Sequence, residues 1–274
     1  MSSTDNDTEW LERSGRLPSV QGYEEAAKLL NDPRLKTDYF SLFLAAGANR
    51  GLAGDAGKRS LLNLHGQEHK RLRSVIAPEF RPRAVDRVRP FARSAADALI
   101  DSFPDAQDFD FMLDFAQPYI EQTTAYFLGI PVADMAQLTE PLALMSEAVL
   151  DLRNRARDFD EGAERMVTYA MKALRTRQDN PTDDVIGRLA EMVTASAIDE
   201  LFAANLVGTV LSAGLEPTIL QLGLIIEELG PRPKTWDDLA KHPSRVPEVL
   251  EELLRYRSTN PGVVRCFEED VTHN

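Results

Sequence analysis

A chain of 274 residues, 43% hydrophobic and 27% charged, is long enough to bury a sizeable core and lacks the low hydrophobicity of disordered chains. Its 31 basic and 44 acidic residues leave a formal charge of -13, which excludes general affinity for nucleic acid, because phosphate attracts a clustered positive surface. A single cysteine, Cys266, excludes an internal disulfide framework and a cysteine-rich zinc site, and fits a reducing cytoplasm.

The acidic, polar start at Met1 is no secretory signal, and residues 1–17 read as a flexible segment ahead of a single domain over 18–274. Helical periodicity dominates from there on, with few and short strands. Glu24 to Asn31 reads as a helix closed by Asp32 and Pro33. Residues 40–60, with Gly47, Gly51, Gly54 and Gly57, are expected to form a mobile loop. Leu72, Val75 and Ile76 share one face of a helix over Gln67–Ala77, and Pro78 ends it. Phe91, Ala95, Leu99 and Phe103 predict a longer helix, with Pro90 in its first turn. The alternation from Asp108 to Met112 suggests a short strand, and Ala116–Leu128 returns to helix, stopped by Gly129.

Met135–Arg153 and Gly162–Arg175 read as two amphipathic helices separated by a charged break, and Thr182 or Asp183 is the expected N-cap of the next one. Residues Ile198 to Leu229 are apolar on nearly every face. With Gly208, Gly214, Glu216 and Pro217 near its middle, this reads as a central core helix and not as a membrane span. Leu239 to Pro243 is a connector, and Pro247–Tyr256 is the penultimate element.

Four groups of residues carry chemistry. Between His65 and Arg93, eight cations stand against three acids: a solvated exterior, or a docking face for an acidic partner. His69 and Arg73 lie four apart on one helix face, where two donors can hold a carboxylate or phosphate oxygen; an ordinary basic exterior is the plainer alternative. Glu216 is an ionisable group inside an apolar helix, which is costly without a partner, water or a function. Beside it Pro217 removes a backbone donor and is expected to bend or open the helix, while Gly214 permits close approach of something flat. Glu252 and Arg255, three apart, can pair on one face, as many solvated helices do.

In this order the motifs resemble the cytochrome P-450 family of haem-thiolate monooxygenases, particularly soluble bacterial members. The residues from Gly66 to Arg73, with Pro78 to Phe80, are similar to helix C of that family and the segment just after it. Phe127 to Pro131 and Pro181 to Ile186 look like its mid-domain landmarks, and Ala213 to Thr218 resembles the oxygen-side motif of helix I. Glu251 to Tyr256 looks like helix K, and Arg265 with Glu269 to His273 looks like the strand beyond it.

The resemblance implies a mainly α fold, the helix B to helix K region of a P-450-like domain with a few short β-strands. It implies haem b as cofactor, with His69, Arg73 and Arg265 binding its propionates and Gly214 against its face. Glu216 would serve proton delivery, and Glu252 with Arg255 would be a structural ion pair. The implied activity is monooxygenation of a small hydrophobic molecule in the cytoplasm, with no membrane and no nucleic acid involved. The basic stretch would receive a ferredoxin-type electron donor or a partner enzyme.

Three departures are plain. Pro217 stands where the family usually has a threonine, and Thr218 points about 100° away around a regular helix. The thiolate loop of the family lies beyond the last residue, so the chain is expected to be inactive or impaired as it stands. Cys266 is not its substitute and is expected to be a buried or half-buried, inert thiol. Segments at both ends of the family domain are absent, so the domain is expected either to fold poorly or to expose an apolar face along Leu206–Ile226 that needs a partner. A non-catalytic P-450-like scaffold that binds a partner enzyme is the alternative reading.

Overall fold

The computed structural model describes residues 20, 22–103, 108–260 and 262–267; the segment 1–17 and the motif Glu269 to His273 lie outside the described residues. The chain divides into a small unit, drawn from the segment up to Tyr39 and from Val264 onward, and a large unit, Phe40–Val263.

In the small unit, α1 (Tyr23–Leu30) ends at Asn31, whose Nδ2 donates to the Ala27 carbonyl at 2.8 Å. Arg34 grips the Asp32 carboxylate through Nε at 3.0 Å and Nη2 at 2.6 Å, which holds that carboxyl down at about 2. Strands β1 (Leu35–Lys36) and β2 (Cys266–Phe267) pair antiparallel, Leu35 opposite Phe267 and Lys36 opposite Cys266. Cys266 is half-buried there, its thiol directed at the Lys36 carbonyl oxygen at 3.7 Å.

The large unit is helical. The expected mobile loop over residues 40–60 is instead α2 (Tyr39–Ala45) and α3 (Gly51–Gly57). The reason lies between them. Asp160 accepts the backbone amides of Asn49 at 2.7 Å and Arg50 at 3.2 Å, and Asn49 Nδ2 donates to the Phe40 carbonyl at 3.1 Å. Gly54 lets the chain fold back so closely that a Cβ would sit 2.1 Å from the Asn49 oxygen. Helices α4 (Gly66–Ile76), α5 (Pro82–Val85), α6 (Arg89–Asp101) and α7 (Gln117–Leu128) come next, α7 ending at Gly129 with φ 86°.

The strand expected from Asp108 does not form. Asp110 Oδ1 accepts the amides of Met112 at 2.8 Å and Leu113 at 3.0 Å and starts a π-helical turn, Phe111–Ala116, so a local cap wins over the alternating pattern.

Helices α8 (Ala136–Leu150) and α9 (Leu152–Asp179) meet at Asp151. The charged stretch expected to separate two helices is helical, with one displaced residue, Arg155 at φ -117° and ψ 23°. That side chain clamps the junction, bonding Glu147 at 3.0 Å and Asp158 at 2.8 Å. The N-cap of α10 (Val185–Thr194) is Asp184, not Thr182 or Asp183: its Oδ1 accepts the Gly187 amide at 2.7 Å, and Thr182 Oγ1 donates to its other oxygen.

Asp199 caps α11 (Glu200–Leu229), which packs on α7, α9, α10 and the π-turn and runs through Pro217 without the expected opening. By length and composition α11 could cross a membrane, yet Phe202, Leu206, Val207, Leu211 and Leu215 are buried in the main core. Residues 239–241, expected in a connector, belong to α12 (Pro233–Lys241), and α13 (Val246–Tyr256) comes after it.

Candidate functional site

Helix α11 changes character along its length. At 100° per residue, Ala213, Pro217, Leu220 and Leu224 fall within about 60° of one direction. Of these, Ala213, Pro217 and Leu220 are exposed, Leu220 to 56%, and Leu224 is half-buried. On the far side, Leu211 and Leu215 are almost fully buried. Gly214 faces sideways: a Cβ there would lie 3.4 Å from Thr124 Cγ2 of α7, so its small size seats α11 against α7 while Ala213 occupies the open stripe. Thr218 is exposed about 140° round from Ala213, off the stripe.

Glu216 lies on the other edge of the stripe, about 60° from Ala213. Its carboxylate accepts a hydrogen bond of 2.5 Å from Ser146 Oγ, seventy positions earlier on α8. Among the described residues no cation pairs with Glu216, so a half-buried acid on an apolar helix is held by one neutral donor.

His69 and Arg73 sit on α4, which docks through buried Leu72 and Ile76. The 3.6-residue repeat sets both side chains at the margin of that docked face, His69 half-buried and Arg73 exposed. Neither makes a side-chain hydrogen bond or ion pair among the described residues, whereas nearby Arg71 is closed onto Glu68 at 2.8 and 3.0 Å. The structure therefore leaves two donors of the kind a carboxylate group takes, on an element that shares its core with α11.

All eight cations between His65 and Arg93 are exposed, and Arg71, Arg87 and Arg89 pair with Glu68, Glu79 and Asp86. Glu79 is also gripped by Arg188 of α10, through Nε at 2.7 Å and through Nη2, which ties the segment after α4 to the helical core. Glu252 and Arg255 form a two-pronged pair at 2.7 Å, with side chains 62% and 69% exposed. Arg265, in the small unit, is exposed, and its Nη1 donates to the Val264 carbonyl at 2.8 Å.

A cleft of about 880 Å³ beside α9 is a different kind of place. Several of its polar groups are already engaged: Tyr169 donates to Asp134 at 2.8 Å, Arg165 pairs with Glu140, and Arg177 bonds the Gly129 carbonyl and Asp184. Burial and the Asp134 bond push the Tyr169 phenol well above its ordinary range, so it stays protonated.

Sequence reasoning named Glu216, Gly214, His69 and Arg73, and Ala213 only as the start of a motif, but missed Ser146. Ser146 carries no local signal.

No protein-family model matches the chain. It is 31% identical over 269 residues to luteothin monooxygenase of Streptomyces thioluteus, covering 97% of this chain and 66% of that protein. It is 31% identical over 207 residues to erythromycin C-12 hydroxylase of Saccharopolyspora erythraea, covering 72% and 50%. The chain thus spans half to two thirds of the length of these curated relatives. A cytochrome P-450 crystallised with a hexadec-9Z-enoic acid-ligated acyl carrier protein superposes with a TM-score of 0.83 at 24% identity, covering 92% of this chain and 65% of that one, which shows the fold. A mycinamicin VIII methyl hydroxylase of Micromonospora griseorubida, bound to mycinamicin VIII, gives 0.74 at 28% identity over 86% and 59%.

Proposed function

This chain belongs to the cytochrome P-450 family, and from that premise we propose that it supplies the distal and propionate-binding side of a haem monooxygenase acting on a small hydrophobic molecule. The observation that carries the proposal is one helical unit holding an open apolar stripe, Ala213, Pro217 and Leu220, with Glu216 on its edge and two unpaired donors, His69 and Arg73, on a helix of the same core. A flat apolar macrocycle with two carboxylates fits that donor set. Haem iron, when bound, supplies the reductive activation of dioxygen.

The residues of the chain would do the rest. His69 and Arg73 donate to propionate oxygens. The apolar stripe excludes water from the reacting face. Glu216 holds a proton at a carboxyl oxygen and passes it inward. The exposed cations from Lys70 to Arg93 would meet an acidic, ferredoxin-type donor, and the reaction would take place in the cytoplasm. Molecules such as the erythromycin and mycinamicin VIII in the names of two relatives are candidates that an apolar lining accepts.

Pro217 supports a second reading. It supplies no hydroxyl beside Glu216, which suits a homologue that keeps the helical frame and binds a partner enzyme without turnover.

The test is the absorption spectrum of the purified chain with haem, reduced and exposed to carbon monoxide. Haem uptake that weakens on His69→Ala or Arg73→Ala, with unchanged folding, is the expected result. A monodisperse, folded chain that takes up no haem would favour the scaffold reading.

A further inference from the structure

The bond between Ser146 and Glu216 joins helices seventy residues apart at an acid with no other hydrogen-bond partner among the described residues. We propose that Ser146 is the positioning residue for Glu216, fixing the carboxylate at the edge of the α11 stripe; the proposal rests on the reading of Glu216 as the proton-delivering acid.

Three observations carry it. A hydroxyl both donates and accepts, so it can donate to the carboxylate or accept from the carboxylic acid. The contact therefore survives a change in the protonation of Glu216, which a cation in the same place would resist by locking the charged form. Serine has one short rotatable arm, so its oxygen goes where α8 goes. The C-terminal end of α8 is itself held: Glu147, the next residue, is clamped by Arg155 across the Asp151 junction, and Met145, the residue before, lies where a Cβ on Gly162 of α9 would reach its Cγ at 2.7 Å. The direction of the acid is thus set by the α8–α9 pair and not by α11 alone. Pro217 contributes no hydroxyl, so the one that meets Glu216 comes from a different helix.

The experiment labels the glutamate side-chain carboxyl carbons of the full chain with ¹³C and identifies the Glu216 resonance by its loss in Glu216→Gln. Ser146→Ala is expected to shift that resonance while the other glutamates stay in place, and Ser146→Thr to return it. Should the alanine variant fold poorly, Ser146→Cys keeps the volume with a weaker donor and is expected to shift the resonance part of the way. A Glu216 resonance that does not move in Ser146→Ala or Ser146→Cys overturns the proposal. In a haem-loaded chain extended by the thiolate loop of the family, Ser146→Ala should lower turnover by up to about 100-fold, with threonine restoring it. Unchanged turnover in Glu216→Gln would instead sink the reading of Glu216 as the acid, a failure distinct from an unmoved resonance.

Discussion

The two halves of α11 share one composition and differ in almost everything else. From Phe202 to Leu215 the helix buries the side turned away from Ala213, and small residues such as Ala203 and Ala204 are fully buried. From Glu216 onward one face lies bare along Pro217 and Leu220, and the two buried residues are Leu229 and the polar Gln221, whose amide donates to the Arg257 carbonyl at 2.9 Å. A run that reads as uniformly apolar therefore serves two purposes: the first half anchors the helix, and the second presents a surface. Hydrophobicity says that a residue gains from burial, not what buries it.

The largest expected effect sharpens that contrast. Leu211→Ala removes a side chain with no solvent exposure and should cost about 3 kcal/mol in urea unfolding, while Leu220→Ala should fall within about 0.5 kcal/mol of the parent. Equal costs would break the division. Next, Ala203→Phe forces a ring into a filled layer and should cost about 2 kcal/mol, whereas Ala213→Phe should leave the unfolding midpoint in place and abolish haem uptake, as read from the Soret band. Pro217→Ala restores an amide donor on the open half and should raise stability by about 1 kcal/mol, below the full cost of proline in a regular helix. Smallest of all, Glu252→Ala should not move the unfolding midpoint measurably, since the pair with Arg255 is water-exposed on both sides. A clear loss there would show that α13 is covered in solution.

Much of the frame was legible in the sequence because it depends on period and punctuation. Helices α4, α6, α7, α11 and α13 lie where their apolar spacing and their proline or glycine stops put them. The errors have a common cause. The glycine-rich stretch at 40–60 is ordered by Asp160, more than a hundred residues away, and the charged segment after Asp151 stays helical because Arg155 finds Glu147 and Asp158. The alternating residues from Asp108 were captured by a cap within the same segment, a case where two local signals compete.

The site divides in the same way. Types and spacings were readable: an acid in an apolar helix, a histidine and an arginine four apart, a glutamate and arginine three apart. Whether each was satisfied was not. Glu252 closes onto Arg255 and Arg71 onto Glu68, while His69 and Arg73 are left open, and nothing in the local sequence separates these cases.

By itself, the sequence determined the helical class, the order of the family motifs and the residue types available for a haem site, because periodicity and side-chain chemistry act within a few residues. Only the tertiary structure decided which face of α11 is bare, that Gly214 turns toward Thr124, and that Ser146 meets Glu216. Those are contacts between segments far apart in the chain, and their geometry is set by how whole helices pack.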